Sequence, residues 1–344
     1  MKKIFLKLIL IFSILVCLIT YRHDIYGFVF SDRYRQRLIN QLETYDFPDQ
    51  NNGWTKYSNN PIFGDKETNS VFDPYVYKDG NKFVMILSER RYNSIIRVES
   101  FDGKVWCTNK TLLKCIPGTW EHYVNRACVL KKDSIYHMWY TGQSPEISKI
   151  GHATSRDGIH FKRDKTNPVV EPTCAEEGIS VMNPCVLYNE KRGIFQMWYA
   201  AGENYEPDML FYAESIDGQN WQKLKTPILR KNRYHIWEQS KVGGCDVRLL
   251  SDSLYIMYYI GYQNVDVARI CYAVSNDGII WQQPDSNLVI SPTKGSWDCD
   301  AVYKPSYMII GDQEFIWYNG RKRSTERIGL ITRKFILSNY ERKR

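Results

Sequence analysis

Ser100-Phe101-Asp102-Gly103-Lys104-Val105-Trp106 is the first of four copies of one short pattern, Ser-x-Asp-Gly-x-x-Trp/Phe. The others run Ser155 to Phe161, Ser215 to Trp221 and Ser275 to Trp281. Successive Asp-Gly pairs, at Asp102, Asp157, Asp217 and Asp277, lie 55, 60 and 60 residues apart. A turn dipeptide at near-constant spacing, with an aromatic four residues after each Asp, marks an internal repeat. Repeats of this length build propellers, solenoids or arrays. The glycine supplies the positive φ of the turn, so these four aspartates read as turn residues rather than chemistry.

Around the turn the chain reads as short strands. Aromatic-rich stretches recur at 83–87, 136–140, 195–199, 255–259 and 315–318. Each is followed by a second apolar stretch, at 95–98, 150–153, 210–213, 270–273 and 328–331. An apolar strand precedes each pair, and another begins at the aromatic after Asp-Gly. Four short strands per repeat, five repeats and no helical periodicity predict an all-β fold, a five-bladed β-propeller. The fifth repeat stops near Phe335 without its Asp-Gly-x-x-Trp strand. Asn52-Gly53-Trp54 leading to Asn60-Pro61 matches Phe161 leading to Asn167-Pro168. An N-terminal strand is therefore expected to close the last blade, which removes free sheet edges. The propeller is expected over residues 51–337, with 338–344 a basic tail.

The 344 residues, 43% hydrophobic, suffice for one large domain, and 14% aromatics suit β-structure. A net charge of +8 permits an acidic partner, although a solvated basic surface is its ordinary explanation. There is no zinc-finger spacing, P-loop or dinucleotide fingerprint, and no basic nucleic-acid module, so no nucleic acid is expected. Six scattered histidines show no ligand spacing, and no metal or cofactor is expected.

Lys2 and Lys3 precede a run from Ile4 to Ile19 that is apolar except for Lys7 and Ser13. This reads as one membrane-anchor helix over 1–20, an uncleaved signal anchor that holds the propeller on the periplasmic or extracellular side. Residues 21–50 form a polar linker with a short helix at Arg33–Glu43. Eight cysteines follow the anchor, an even number compatible with disulfides. Cys128 and Cys185 sit in apolar strands as buried thiols, and Cys107 and Cys115 have a spacing that allows a bond.

The inner strands of a propeller enter from loops gathered at one end of the axis, so residues at those entries converge. Here the entries hold Asp73-Pro74, Asn125-Arg126, Asn183-Pro184, Gly243-Gly244-Cys245-Asp246 and Lys304-Pro305. Just upstream come Trp120-Glu121, Glu176-Glu177, Trp237-Glu238 and Trp297-Asp298. Carboxylates, amides and bases around a funnel, with Trp alongside, suit sugar recognition, because sugars offer hydroxyl pairs and apolar ring faces. The expected substrate-binding residues are Arg91, Trp120, His122, Asn125, Arg126, Asn183, Glu238, Asp300, Lys304 and Arg321. For any one of the basic residues, the ordinary explanation is pairing with the acidic ring.

Trp-acidic loops, Asn/Asp-Pro inner strands, Met-Trp-Tyr-x-Gly, the Ser-x-Asp-Gly-x-x-Trp turn and Asn-Pro-Val together resemble the five-bladed propeller glycosidases. These are the arabinanase and xylosidase, invertase and levanase, and mannoside phosphorylase families. The resemblance covers residues 54–335 and implies the fold; fold alone does not fix activity. It implies that Asp73 is the family's first-blade base or nucleophile. The second carboxylate would fall at Asn125 or Asn183, both amides here. The acid is usually a Glu heading a later inner strand; Asp246 is the nearest substitute, with Glu177 and Glu238 in the preceding loops. Glycoside cleavage ordinarily uses two carboxyl groups, so Asp73 is expected to activate water and Asp246 or Glu177 to protonate the leaving oxygen. Arg126, Lys241, Arg248, Lys304 and Arg321, with His122 and Arg91, suit an acidic glycan or an attacking phosphate. The sequence thus supports an enzyme cleaving or transferring glycosyl units of an oligo- or polysaccharide. A phosphate-using phosphorylase, and a non-catalytic glycan-binding protein of surface polysaccharide assembly, stay open beside it. An acid within reach of Asp73 favours an enzyme, and a lone Asp73 favours binding.

Overall fold

The computed structural model of the protein describes residues 47–64, 70–203, 207–264 and 266–341. The expected anchor, the Arg33–Glu43 helix and most of the linker lie outside the described residues. Among the described residues no helix is long and apolar enough to cross a membrane.

Five antiparallel sheets form the five expected blades. Strand β1 (Thr55–Lys56) pairs with the last blade. Blade 1 follows with β2 (Val71–Asp79), β3 (Lys82–Glu89), β4 (Ser94–Ser100) and β5 (Cys107–Lys114). Blade 2 comprises β6 (Tyr123–Lys132), β7 (Ile135–Gln143), β8 (Ser148–Ser155) and β9 (Lys162–Arg163). Blade 3 comprises β10 (Ser180–Asn189), β11 (Ile194–Gly202), β12 (Pro207–Ser215) and β13 (Gln222–Lys223). Blade 4 holds β14 (Lys241–Ser251), β15 (Leu254–Tyr262), β16 (Ala268–Ser275), β17 (Trp281–Gln282) and a short extra strand, β18 (Leu288–Ile290). Blade 5 holds β19 (Ala301–Ile310), β20 (Gln313–Lys322) and β21 (Thr325–Lys334), and its outer strand is β1, with Thr55 opposite Thr332. The N-terminal strand closes the ring as the repeat spacing predicts.

The repeated motif explains how neighbouring blades are joined. In each turn the Ser hydroxyl accepts from the Gly N–H, at 2.9–3.0 Å, and the Asp carboxylate accepts two further backbone N–H groups. The Gly carbonyl is thereby aimed at the preceding blade. Trp139 Nε1 donates to Gly218 O at 2.8 Å, Trp198 to Gly278 O at 2.7 Å and Trp317 to Gly103 O at 2.8 Å. All three indoles are fully buried, where an N–H without a partner costs about 1–3 kcal/mol. Where the pattern lapses, another residue makes the link. Ile86 stands at the Trp position of blade 1, and Arg97 donates to Gly158 O instead. Blade 5 lacks an Asp-Gly turn, and Tyr258 bonds the Tyr340 hydroxyl at 2.7 Å. Tyr340 is buried in the helical turn Ser338–Glu341. The expected boundary at 337 therefore falls short, because the segment read as a tail fills the gap of the missing turn.

No disulfide is present among the described cysteines. Cys107 begins β5 and Cys115 follows its end. Eight extended residues span about 26 Å, against the roughly 7 Å limit between Cα atoms for a disulfide. Cys128 and Cys185 are buried thiols, as expected.

Candidate active site

Each inner strand carries a bulge near its start. The bulge residue adopts positive φ in four blades: Asp73 (54°), Arg126 (55°), Asn183 (56°) and Lys304 (48°). Pairing fixes the register. Ser306 lies opposite Trp317, Cys185 opposite Trp198, Cys128 opposite Trp139 and Asp246 opposite Tyr258. Counting back two residues, the fourth-blade equivalent of Asp73 is Gly244. A Cβ there would meet the Asn183 side chain at 2.9 Å. Arg126, not Asn125, is the second-blade equivalent.

This register moves Asp246 one layer below the bulge ring. Its Oδ1 accepts from Arg248 at 2.5 Å and its Oδ2 from the Tyr307 N–H at 2.6 Å. Ser306 Oγ accepts from Val76 N and Cys185 Sγ from Val247 N in the same way, so this layer stitches adjacent inner strands. Asp246 is a member of that ladder and does not line the cavity. The expectation that it protonates a leaving group is corrected accordingly.

Glu177 and Glu238 also leave the chemistry. Each Trp-acidic or acidic loop sends one carboxylate to the Tyr of its blade's second strand and to a polar residue two positions after the outer-strand aromatic. Glu121 bonds Tyr140 and Arg163 Nε (2.6 Å). Glu177 bonds Tyr199 (2.8 Å) and Lys223 (2.7 Å). Glu238 bonds Tyr259, Gln283 (3.1 Å) and, from its own loop, His235 (2.6 Å). Asp298 bonds Tyr318 (3.1 Å) and Lys56 (2.7 Å). These are clasps that tie loop, second strand and outer strand together. Burial pushes the Glu177 carboxyl up, but Lys223, the Thr173 N–H and Tyr199 together hold it below its ordinary value. An ionised, sealed carboxylate is no proton donor.

Trp120 is part of the same frame. It stacks on Tyr140 (15° between planes) and covers Gly142, where a Cβ would meet its ring at 2.3 Å; this contact demands the Gly of Tyr-x-Gly. His122 accepts from the Gly118 N–H at 3.2 Å. Arg91 is exposed against Tyr92. Asp300 accepts from the Arg323 N–H. None of these four lines the central cavity. Lys241 pairs with Asp208 at 3.0 Å and Arg248 with Asp246, the ordinary explanation for each.

A cavity of about 490 Å³ opens at the mouth of the axis, and Asp73, Asn125, Arg126 and Arg321 line it as expected. Asn183 and Lys304 are buried behind its wall. Three polar atoms of the lining are buried without a hydrogen-bond partner: Asp73 Oδ2, Asn125 Oδ1 and Arg321 Nε. The nearest cation to Asp73 is Arg126, at 3.7 Å. Burial raises the Asp73 carboxyl above its ordinary value, while Arg126, Lys304 and Arg90 pull it down and Glu326 pushes it up. The net direction is upward, which suits a proton donor, whereas the sequence led to an ionised base.

The cavity also gathers residues that sequence reading passed over. Glu326, near the start of β21, accepts from the Tyr303 hydroxyl and from Arg90 at 2.5 Å. Arg90 lies over the Phe72 ring, 4.6 Å from its centroid. Tyr123, Tyr262 and Tyr303 add aromatic surface. Glu326 lies just before the apolar stretch 328–331, where the repeat motif marks no functional position. Tyr303 was visible only as the neighbour of Lys304.

Residues 121–243 match the family model of the glycosyl hydrolases family 32 N-terminal domain. The chain is 28% identical over 197 residues to an uncharacterized protein of Mycobacterium tuberculosis (strain ATCC 25618 / H37Rv), covering 53% of this chain and 62% of that one. It is 29% identical over 155 residues to a 1,2-beta-oligomannan phosphorylase of Thermoanaerobacter sp. (strain X514), covering 40% and 50%. The chain thus spans less than two thirds of the length of these curated relatives. Among solved structures, a beta-1,2-mannobiose phosphorylase from Listeria innocua in complex with beta-1,2-mannobiose aligns with a TM-score of 0.64 at 13% identity, covering 84% and 98%. That likeness is one of fold. The protein is a five-bladed propeller with a segment similar to the glycosyl hydrolases family 32 N-terminal domain.

Proposed function

We propose that this protein cleaves or transfers a glycosyl unit of an oligo- or polysaccharide, with Asp73 as the proton donor to the leaving oxygen. The observation that carries the reading is the buried Asp73 Oδ2 on the cavity, which accepts no hydrogen bond and has only Arg126 at 3.7 Å, beside Asn125 Oδ1 and Arg321 Nε, which also lack a hydrogen-bond partner. A buried polar atom without a partner costs about 1–3 kcal/mol. A sugar, whose hydroxyls donate and accept, offsets that cost at several atoms together. A carboxyl whose hold on its proton is strengthened by burial suits general acid catalysis of glycoside cleavage. The aromatic wall supplies surface for the apolar faces of the ring.

Phosphorolysis is the second reading, favoured by Arg90, Arg126 and Arg321 on one cavity. Guanidinium groups bind phosphate by paired N–H bonds, and an anionic nucleophile needs no base. The experiment is product release from neutral and acidic polysaccharides, with and without phosphate, by the protein and by Asp73→Asn. Release that disappears in the variant supports the reading, and a requirement for phosphate makes it a phosphorylase. Glycan binding by both proteins with no release from either would end the enzyme claim and leave a binding propeller. For location, Lys2, Lys3 and the apolar run to Ile19 support an exported domain on an uncleaved anchor. Protease accessibility of the propeller in intact cells tests this, and full protection would overturn it.

A further inference from the structure

We propose that Tyr303 is a covalent nucleophile for glycosides of an acidic sugar whose carboxylate sits on the anomeric carbon. In this assignment Glu326 is its base, and Arg90, Arg126 and Arg321 bind the carboxylate. The assignment rests on the reading of Asp73 as the glycosyl proton donor and extends it to the other side of the bond.

The geometry is a contrast with the clasps. The four clasp carboxylates accept from Tyr140, Tyr199, Tyr259 and Tyr318, and buried Glu314 accepts from Tyr307 and Tyr340; all six tyrosines are sealed from solvent. Tyr303 donates to Glu326 in the same manner, yet both residues line the cavity and Tyr303 is only part-buried. No clasp exposes its tyrosine to a ligand; this pair does. Arg90 anchors the other Glu326 oxygen, so the carboxylate is held with one oxygen directed at the phenol. Burial, and then Glu326, push the Tyr303 phenol well above its ordinary value, while Arg321 draws it down. The proton therefore rests on the phenol and passes to Glu326 only as the oxygen attacks.

Charge selects the substrate. A carboxylate nucleophile approaching an anomeric carbon that bears a carboxylate would bring two negative charges together. A phenol with its base behind it attacks as a neutral oxygen, and glycosidases with a tyrosine nucleophile exist outside the two-carboxylate scheme. Three guanidinium groups around the same cavity supply paired donors for the substrate carboxylate. In the first step the Tyr303 oxygen bonds to the anomeric carbon and its proton moves to Glu326. The glycosidic C–O bond breaks, and the Asp73 proton goes to the leaving oxygen. In the second step the ionised Asp73 takes a proton from water, whose oxygen bonds to the anomeric carbon. The Tyr303–carbon bond breaks, and the phenol recovers its proton from Glu326. The sum is hydrolysis with retention.

The test uses the full chain with 4-methylumbelliferyl glycosides of N-acetylneuraminic acid, 3-deoxy-manno-octulosonic acid and mannose. It adds the 3-fluoro glycosyl fluorides of the two acids, in which fluorine slows both steps while the fluoride leaving group keeps the first the faster. Peptide mass spectrometry is expected to find the sugar on Tyr303. Tyr303→Phe abolishes that label, and Glu326→Gln slows labelling and fluorophore release by about 10²-fold or more. A label on a carboxylate, no label, or full turnover of the acidic glycosides by Tyr303→Phe overturns the proposal. If Tyr303→Phe cleaves the mannoside as the parent does while Asp73→Asn does not, the nucleophile is lost and the proton donor stands. If Asp73→Asn matches the parent on every substrate, both fail. Thermal midpoints of the two Tyr303 and Glu326 variants within a few degrees of the parent exclude a folding defect.

Discussion

Glu177 and Glu326 are both buried, both accept from a tyrosine and both pair with a cation. One lies at the edge of blade 3 and the other on the wall of the central cavity. At the blade edge Tyr199, Lys223, Thr173 and the carboxylate satisfy one another, and nothing is left to bind. At the cavity the neighbouring atoms are less well satisfied: Asn125 Oδ1 and Arg321 Nε have no hydrogen-bond partner, and Asp73 Oδ2 has only the Arg126 guanidinium, at 3.7 Å. The same residue types therefore build a fastener in one place and a site in the other. What differs is whether the surrounding polar atoms have been used up.

Several substitutions break or sharpen that contrast. The largest effect is expected for Glu326→Gln, which should lower kcat by on the order of 10²–10⁴-fold on a cleaved acidic glycoside, read from steady-state rates. Glu177→Gln should do the opposite, leaving kcat unchanged while denaturant unfolding shows a loss of about 3 kcal/mol. That is the lower end of the range for breaking a buried pair, because Lys223 keeps some contact with solvent. A fall in kcat at unchanged stability would return Glu177 to the chemistry. Trp198→Phe removes the bond to Gly278 O and should cost about 1–3 kcal/mol in the same unfolding experiment; no change would remove the inter-blade link from the account.

The smallest effect expected is a pH-dependent one. The Asp73 carboxyl is raised by burial, so the native state holds its proton more tightly than the unfolded chain does. Its contribution is fully present below the unfolded value and is lost as pH rises through the raised one. Asp73→Asn should accordingly be more stable than the parent at neutral pH, and the gain should shrink as pH falls. A gain that instead grew on acidification would mean that Asp73 is ionised in the native protein.

The frame was legible because it repeats. Ser-x-Asp-Gly-x-x-Trp shows itself four times, and its job, presenting a Gly carbonyl to the previous blade's Trp, follows from turn chemistry. Trp54 could be matched to the missing outer strand by its offset to Asn60. The clasps were misread because residue type does not name a partner. A Glu beside a Trp looks the same whether it faces a sugar or a lysine, although the Lys or Arg two residues past the outer-strand aromatic was a signal. Asp246 was misplaced through the Gly243-Gly244 pair, which hides where the bulge falls until strand pairing fixes the register. Tyr303 and Glu326 come together only because β19 and β21 flank β20, a contact made by sheet order across 23 residues.

The most direct measurement is the leaving-group dependence of Asp73→Asn beside the parent, on aryl glycosides of graded phenol acidity. A group that donates a proton matters most when the departing oxygen is basic. The variant should match the parent on the most acidic phenol and fall progressively behind as the phenol becomes more basic, while the parent varies little. Parallel dependence in both proteins would contradict Asp73 as the proton donor.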